Sequence, residues 1–210
     1  MRTIDRVLLG AGLLIPFWLF FGVLLTASRF PGYSHVDLAM SQLGAMGAPT
    51  HAWSPWLNNL PLGVLFVLCA LGLLRRFQGS RLAAVSALLV LVHGLASISA
   101  GVFPCDQGCL PAQPSLSQKL HNLSGLVMFV SLTLASASWI FLGRRLLGSV
   151  GFARFSLLCV LLSLATVGLM AGAMESGHGF GLYQRLNYGV AVIWLALLAW
   201  LGLRESGAAA

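Results

Sequence analysis

Six long apolar runs dominate the sequence and constrain its fold more than any other feature. They cover residues 7–27, 55–75, 81–103, 117–142, 152–174 and 183–203. Each reaches the roughly 20 residues that an α-helix needs to cross a hydrocarbon layer of about 30 Å. The first run is too long for the apolar part of a signal peptide, so it is kept as a span. We therefore predict an all-α integral membrane protein, a bundle of six transmembrane helices.

The second run contains a proline and needs its own interpretation. Ser54-Pro55 is typical of a helix start, because serine caps a helix and proline fits its first position. Pro61 lacks the N–H that a continuing helix would use. The span is therefore predicted to start at Pro55 and to kink at Pro61.

The charged residues are too few to cover a soluble surface. Of 210 residues, 8% are charged and 58% are hydrophobic, whereas soluble domains carry about 25% charged residues. The net charge of +7 comes from short clusters at the ends of the apolar runs. Without a basic face, this pattern argues against a nucleic-acid partner. We predict one membrane domain over residues 1–210, with the lipid bilayer as its surroundings and no protein partner indicated.

The positive charges are divided unequally between the two sides of the predicted bundle. One side carries Arg2, Arg6, Arg75, Arg76, Arg81, Arg144, Arg145, Arg154 and Arg204. The other side carries Arg29, Lys119 and Arg185. Since Lys and Arg are in excess in cytoplasmic loops, the first side is predicted to face the cytoplasm. The expected location is the cell (plasma or inner) membrane, with several passes and both termini cytoplasmic.

Two features stand out in the predicted outer loops. Ser34 and Asp37 have capping-box spacing, and Gly44 suits the end of a helix, so a short helix over residues 34–43 is expected at the membrane surface. Cys105 and Cys109 lie in a loop on the oxidising side, which favours a structural disulfide. A redox-active or metal-binding cysteine pair is the alternative.

The histidines lie in the outer half of the predicted bundle, together with most of the polar side chains. They are His35, His51, His93, His121 and His178. His93 is about 15 Å below the end of its helix, at 1.5 Å per residue. An ionisable group at such depth usually faces the bundle interior and serves function, although a neutral histidine can also serve packing alone.

These residues define the predicted site. His121 and His93 are the candidates for acid, base or ligand, with Asp106 orienting them. Arg185 and Lys119 are expected to hold an anionic group such as a lipid phosphate. The remaining substrate-binding candidates are polar residues of the outer loops and helix ends, namely Asn59, Asn187, Gln184, His35, Asp37, Glu175 and His178.

The sequence does not identify a cofactor. No two histidines have a metal-binding spacing, so a metal site would need residues from separate segments. His35, Asp37, His121 and His178 could provide one. A haem would need axial ligands on facing helices, for which His93 and His121 are the available pair.

Several short motifs together resemble the domain-of-unknown-function 998 family. They are Ser41-Gln-Leu-Gly44, Asn59, Phe103-Pro-Cys-Asp106 with Gly108-Cys109, Leu120-His121 and Gln184-Arg185. The resemblance implies a six-helix prokaryotic membrane protein and brings no established activity. A more distant likeness to the eukaryotic FRAG/DRAM-like membrane families, which are linked to lipid-anchor remodelling, favours lipids at the level of fold analogy.

The sequence thus predicts an outward-facing polar site that binds or processes a lipid or lipid-like headgroup, including that of a quinone. Whether the protein is an enzyme stays open. The alternatives are a non-enzymatic accessory or binding protein and a small metal or solute transporter. Transport is less favoured, because the inner halves of the spans carry few polar residues.

Overall fold

The computed structural model describes residues 2–204, and six long helices account for most of them. Met1 and residues 205–210 of the predicted domain lie outside this range. The helices are α1 (Thr3–Ala27), α2 (Ser54–Leu57), α3 (Asn59–Arg76), α4 (Arg81–Val102), α5 (Leu116–Leu147), α6 (Val150–Ser176) and α7 (Phe180–Arg204). With the short α2 joined to α3, six spans are long and apolar enough to cross a membrane, and residues 2–204 contain no strand. The predicted six-span all-α fold is confirmed.

The bundle has two distinct ends. The terminal end is where α1 begins and α7 ends, and it carries the short turns 77–80 and 148–149. The lid end carries the loops 28–53, 103–115 and 177–179. Which of the two faces the cytoplasm stays a prediction.

The long helices form a ring in which each packs against its neighbours along the chain. α7 closes this ring by packing against α1. Small residues allow the close approach: a Cβ at Gly72 of α3 would lie 2.9 Å from the backbone nitrogen of Leu9 in α1. The interior of the ring is therefore surrounded by all six spans.

Aromatic side chains fill the interior in the half near the terminal end. Trp139 and Trp194 are 1% and 0% exposed, and Phe66 is 0% exposed. The indole of Trp139 donates to Oγ of Ser86 at 2.9 Å, and that of Trp194 donates to Oγ of Ser156 at 3.0 Å. These buried aromatic side chains make this half a densely packed core.

α5 and α6 approach closely near the terminal end. A Cβ at Gly143 would lie 2.9 Å from the nitrogen of Ala153, whereas one at Gly125 or Gly168 in the lid half would meet no atom within 4 Å. α5 ends at Leu147, five residues beyond the predicted end of its span, and Gly148 terminates it in the left-handed conformation with φ 56°. Gly143 is thus a close-packing position between the two helices, whereas Gly125 and Gly168 are open positions.

The break in the second span falls at Asn58 rather than at the predicted Pro61. Asn58 separates α2 from α3 with φ −105° and ψ −79°. Pro61 lies in the first turn of α3 and leaves the carbonyl of Leu57 without its helical partner. The indole of Trp18 in α1 donates to that carbonyl at 2.7 Å. A bond between helices therefore replaces the bond that proline removes.

The first loop is more compact and less helical than predicted. The expected helix over residues 34–43 is not confirmed: turns occupy residues 35–38, and a 3-10 helix covers Met40–Gly44. Leu43 is 1% exposed, so this segment packs into the bundle end as well as covering it. The predicted disulfide between Cys105 and Cys109 is present. Met46 N donates to the carbonyl of Cys105 at 2.9 Å, which joins the two loops into one lid.

Candidate functional site

A cavity of about 280 Å³ lies inside the ring, between the aromatic core and the lid. All six spans and the 3-10 helix contribute to its wall. Most lining side chains are apolar, among them Leu62, Met128, Phe129, Val167 and Met170. Of the residues that the structure describes, no Lys, Arg, Asp or Glu lines the cavity. The interior is therefore uncharged and largely apolar.

Five of the predicted site residues line this cavity, and they come from four different spans. They are Asn59, His93, His121, Gln184 and Asn187. The segregation of polar residues in the sequence thus does correspond to a shared space. The individual side chains differ in how much of their hydrogen-bonding capacity is left for a ligand.

His93 is buried and fully hydrogen-bonded. Its Nδ1 lies 2.9 Å from the carbonyl of Met128, and its Nε2 lies 3.1 Å from the hydroxyl of Tyr188. A carbonyl only accepts, so Nδ1 carries the hydrogen and Nε2 accepts from Tyr188. Both ring nitrogens are then occupied, which favours the packing interpretation of His93 and leaves no lone pair for an axial ligand to haem.

His121 is held in one orientation but keeps a nitrogen available. Its Nδ1 lies 2.9 Å from the carbonyl of Phe103 and 3.1 Å from that of Ala100, at the end of α4. These carbonyls require the hydrogen on Nδ1, so Nε2 carries a lone pair. No described residue donates to Nε2. Of the two predicted histidines, His121 is the one that can still accept a proton or a hydrogen bond.

Asn187 and Gln184 each use one atom of the side-chain amide in a hydrogen bond and keep the other atom without a partner. Nδ2 of Asn187 donates to Ser163 O at 2.8 Å and to Thr166 Oγ1 at 2.9 Å. Oε1 of Gln184 accepts from Met40 N at 2.7 Å. Within residues 2–204, Asn187 Oδ1 and Gln184 Nε2 have no partner. The cavity wall therefore offers acceptors at His121 and Asn187 and a donor at Gln184.

The cavity is closed toward the lid and open toward the outer surface of the bundle. Toward the lid end, the closely packed residues Leu43, Thr50 and Cys105 are between 0% and 1% exposed. On the membrane-facing side, Gly125 of α5 is the one exposed residue among the cavity-lining residues that the structure describes. The cavity therefore opens beside Gly125, where no side chain covers the wall.

Arg185 and His35 lie outside the cavity, in a groove between α1 and α7. This groove has a volume of about 360 Å³ and is otherwise lined by apolar side chains. Burial, together with the nearby charge of Arg185, lowers the pKa of His35 below its ordinary 6.5. Arg185 therefore shares the groove with His35 and lies apart from His93 and His121, which line the cavity.

Asp106 is engaged in the lid and does not line the cavity. Its carboxylate accepts from Oγ of Ser115 at 2.6 Å and from the N–H of Ser115 at 2.9 Å. These two bonds hold the pKa of Asp106 below its ordinary 3.8. Its own N–H donates to Oε1 of Gln118 at 2.8 Å. Asp106 thus fixes the loop before α5, and its contacts do not include His121.

Asp37 has a corresponding role in the first loop. It accepts from Gly179 N at 3.0 Å and from Oγ of Ser34 at 2.9 Å, and these bonds lower its pKa. His178 lies 3.7 Å from it, with a side chain that is 87% exposed. Asp37 therefore links the first loop to the turn before α7.

Lys119 and Glu175 are exposed and line neither the cavity nor the groove. The four residues considered for a metal site, His35, Asp37, His121 and His178, do not assemble. Within residues 2–204 no group of three or more His, Cys, Asp and Glu side chains is placed to hold an ion.

Tyr188 lines the cavity and forms a hydrogen bond with His93, but it was not predicted from the sequence. A signal was available, because Tyr188 follows Gln184 by four residues and so lies on the same face of α7. Gly125 was also missed, and nothing in its local sequence distinguishes it from a packing glycine.

A model of the family described as "Protein of unknown function (DUF998)" matches residues 13–201. No curated protein matches the chain, and no solved structure does. The matched range reaches into all six spans and includes every residue that lines the cavity.

Proposed function

The chain belongs to the DUF998 family, and from this starting point we propose that it binds the neutral headgroup of a lipid-like molecule in the cavity. The observation that carries the proposal is an uncharged cavity in which several polar side chains, among them His121, Gln184 and Asn187, keep unused hydrogen-bonding atoms. The membrane-spanning bundle makes lipid-soluble molecules the available ligands.

The lining favours a neutral headgroup over an anionic one. Placing a charge in an apolar interior costs several kcal/mol unless an opposite charge compensates for it. Arg185 and Lys119, the cations predicted for a lipid phosphate, do not line the cavity. A phosphate bound there would have no counter-charge, and this argues for an uncharged ligand.

The unused atoms indicate which neutral groups would fit. Nε2 of His121 and Oδ1 of Asn187 accept hydrogen bonds, and Nε2 of Gln184 donates one. This set suits a headgroup that carries hydroxyl or carbonyl oxygens, as a quinol, a quinone or a diacylglycerol does. A volume of about 280 Å³ is at the lower limit of ligand pockets, which span about 300–1,000 Å³. The headgroup would fill the cavity, and its chain would extend past Gly125 into the surrounding lipid.

Binding is better supported than transport. The aromatic core around Trp139 and Trp194 occupies the half of the ring that a translocated solute would have to cross. Chemical conversion of the bound ligand is the alternative to simple binding. Of the predicted catalytic residues His121, His93 and Asp106, only His121 has an available nitrogen at the cavity.

Native mass spectrometry of the protein released from its own membranes tests the proposal. We expect one neutral lipid-like molecule to be retained by the wild type. Gly125→Phe, whose Cβ would meet no atom within 4 Å and whose ring would narrow the opening, should reduce this retention at least about tenfold. Gly10→Phe is the matched control, because a Cβ at Gly10 also meets no atom within 4 Å.

A second variant tests the polar contact itself. His121→Asn keeps a donor for the carbonyl of Phe103 and removes the Nε2 acceptor. The loss of one hydrogen bond of about 1–1.5 kcal/mol should weaken binding by about tenfold. Absence of a neutral ligand from the wild type, or equal retention in wild type and Gly125→Phe, would contradict the proposal.

A further inference from the structure

We propose that the groove between α1 and α7 is a second site, which binds one anionic phospholipid through Arg185. The proposal is independent of the cavity and of its neutral ligand. It rests on the shape of the groove, on the unbalanced charge of Arg185 and on the unused donors of its guanidinium.

The groove faces the membrane and is suited to an acyl chain. Its walls are mostly apolar side chains from both helices, with the lid contributing Met40 and His35. On α1 they are Pro16, Leu19, Phe20, Val23 and Leu24, and on α7 they are Gly189, Val192 and Ile193. Gly189 has no side chain and meets no other atom within 4 Å of its Cβ position, so the groove is open along α7.

Arg185 lies at the lid end of this groove and is held rigidly by neutral groups. Its Nη1 donates to the carbonyls of Gly181 at 2.8 Å and of Leu38 at 3.1 Å. Its Nη2 donates to the hydroxyl of Tyr33 at 2.6 Å. A Cβ at Gly181 would overlap with the carbonyl of Leu38, so the glycine is what lets α7 approach the lid and place Arg185 there.

The charge of Arg185 has no counter-charge within residues 2–204. No described carboxylate forms an ion pair with it. Asp37, on the same loop as the Leu38 carbonyl, is already engaged by Ser34 and Gly179. An arginine about 8 Å inside its helix, at 1.5 Å per residue, is costly near lipid unless an anion balances it.

Two N–H groups of the guanidinium lack a partner within residues 2–204, and an anion can reach only the one on Nη2 unless the side chain shifts. Nε is buried and has no partner among the described residues. Nη2 carries two hydrogens, of which Tyr33 accepts one. Phosphate is the group that arginine binds best with several donors at once. A phospholipid supplies this phosphate together with the chain that an apolar, membrane-facing groove accommodates.

The site can be tested in nanodiscs of phosphatidylcholine that contain a minority of phosphatidylglycerol. After release, native mass spectrometry counts the phospholipids that remain bound. We expect the wild type to keep one phosphatidylglycerol in preference to phosphatidylcholine. Gly189→Phe should reduce this retention at least about tenfold, because its Cβ meets no other atom within 4 Å and its ring would occupy the groove.

The controls separate this site from folding effects and from the cavity. Arg185→Gln should abolish the preference for phosphatidylglycerol, although it also removes contacts to the lid, which is why Gly189→Phe carries the test. Two control variants should leave the retention of phosphatidylglycerol unchanged. They are Gly168→Phe on α6, where a Cβ also meets no atom within 4 Å, and Lys119→Gln. Gly125→Phe should reduce the neutral ligand alone.

Three results would overturn the proposal. The first is equal retention of both phospholipids by the wild type. The second is retention of phosphatidylglycerol by Gly189→Phe at the wild-type level. The third is displacement of the phospholipid by soluble glycerol phosphate, which would show that the groove contributes nothing and that Arg185 binds only a free anion.

Discussion

The hydroxyl of Tyr188 donates to Nε2 of His93, 3.1 Å away, and so joins α7 to α4 across the interior of the ring. The carbonyl of Met128 on α5 accepts from the other ring nitrogen at 2.9 Å. One neutral imidazole therefore connects three spans immediately beneath the cavity. This arrangement makes the deepest histidine of the chain a structural centre and gives the floor of the cavity a fixed shape.

Removing that hydroxyl should destabilise the bundle modestly. We expect Tyr188→Phe to lower the free energy of unfolding by about 0.6–1.7 kcal/mol, the range measured for hydrogen bonds between membrane helices. Thermal unfolding in detergent provides the measurement. Tyr183→Phe is the control, because the Tyr183 hydroxyl has no hydrogen bond to any described residue. Equal effects of the two substitutions would contradict the assignment.

Trp18 and Pro61 should be energetically coupled through the carbonyl of Leu57. In the wild type Trp18→Phe leaves that carbonyl without a partner, and we expect a cost of about 1 kcal/mol. Pro61→Ala supplies a backbone N–H that can form the missing helical bond, so Trp18→Phe should cost less in that background. A double-mutant cycle on thermal stability measures the coupling. Additive effects would show that the carbonyl does not need Trp18.

Because of Asp106, the stability of the lid should depend on pH. Its bonds to Ser115 lower its pKa in the folded state below the ordinary 3.8, so the unfolded chain takes up the proton first as the pH falls. The stabilisation is therefore complete above the unfolded-state pKa and is lost as the pH falls through the lower folded-state pKa.

The difference in melting temperature between wild type and Asp106→Asn should accordingly shrink below about pH 4. Glu175→Gln, which removes an exposed carboxylate, should give no such difference at any pH. A gap between wild type and Asp106→Asn that stays constant down to pH 3 would show that the charge of Asp106 does not stabilise the lid.

The predicted orientation can be measured with two introduced cysteines. Gln78 lies in the turn after α3 at the terminal end, and His178 lies at the lid end; both are exposed. The native cysteines leave little background, because Cys69 and Cys159 are buried and the other two form a disulfide. In intact cells we expect an impermeant maleimide to label His178→Cys and not Gln78→Cys. The reverse pattern would place the lid in the cytoplasm.

The spans could be predicted because length and hydropathy determine them directly. Even the uncertain second span was found, although its break was placed at Pro61 instead of Asn58. The proline removes one hydrogen bond, and the sequence does not reveal that Trp18 of a distant helix replaces it. The end of α5 was also set too early, because Arg144 and Arg145 end the apolar run while the helix continues to Gly148.

The site was predictable only in part, since depth can be read from the sequence and rotation about the helix axis cannot. Gln184 and Asn187 line the cavity, whereas Arg185, one residue after Gln184, lies in the groove. Successive residues point about 100° apart around a helix, so neighbours in sequence serve different surfaces. On a helix that is apolar nearly all round, no hydrophobic stripe indicates which face is interior.

The contact of Gly143 with Ala153 fixes α5 against α6 near the terminal end. Gly125, which meets no atom within 4 Å of its Cβ position, lies 18 residues or about 27 Å along α5 from this contact. A tilt of α5 by about 5° about the contact would move Gly125 by about 2 Å. The width of the opening beside Gly125 would therefore change with the angle between the two helices.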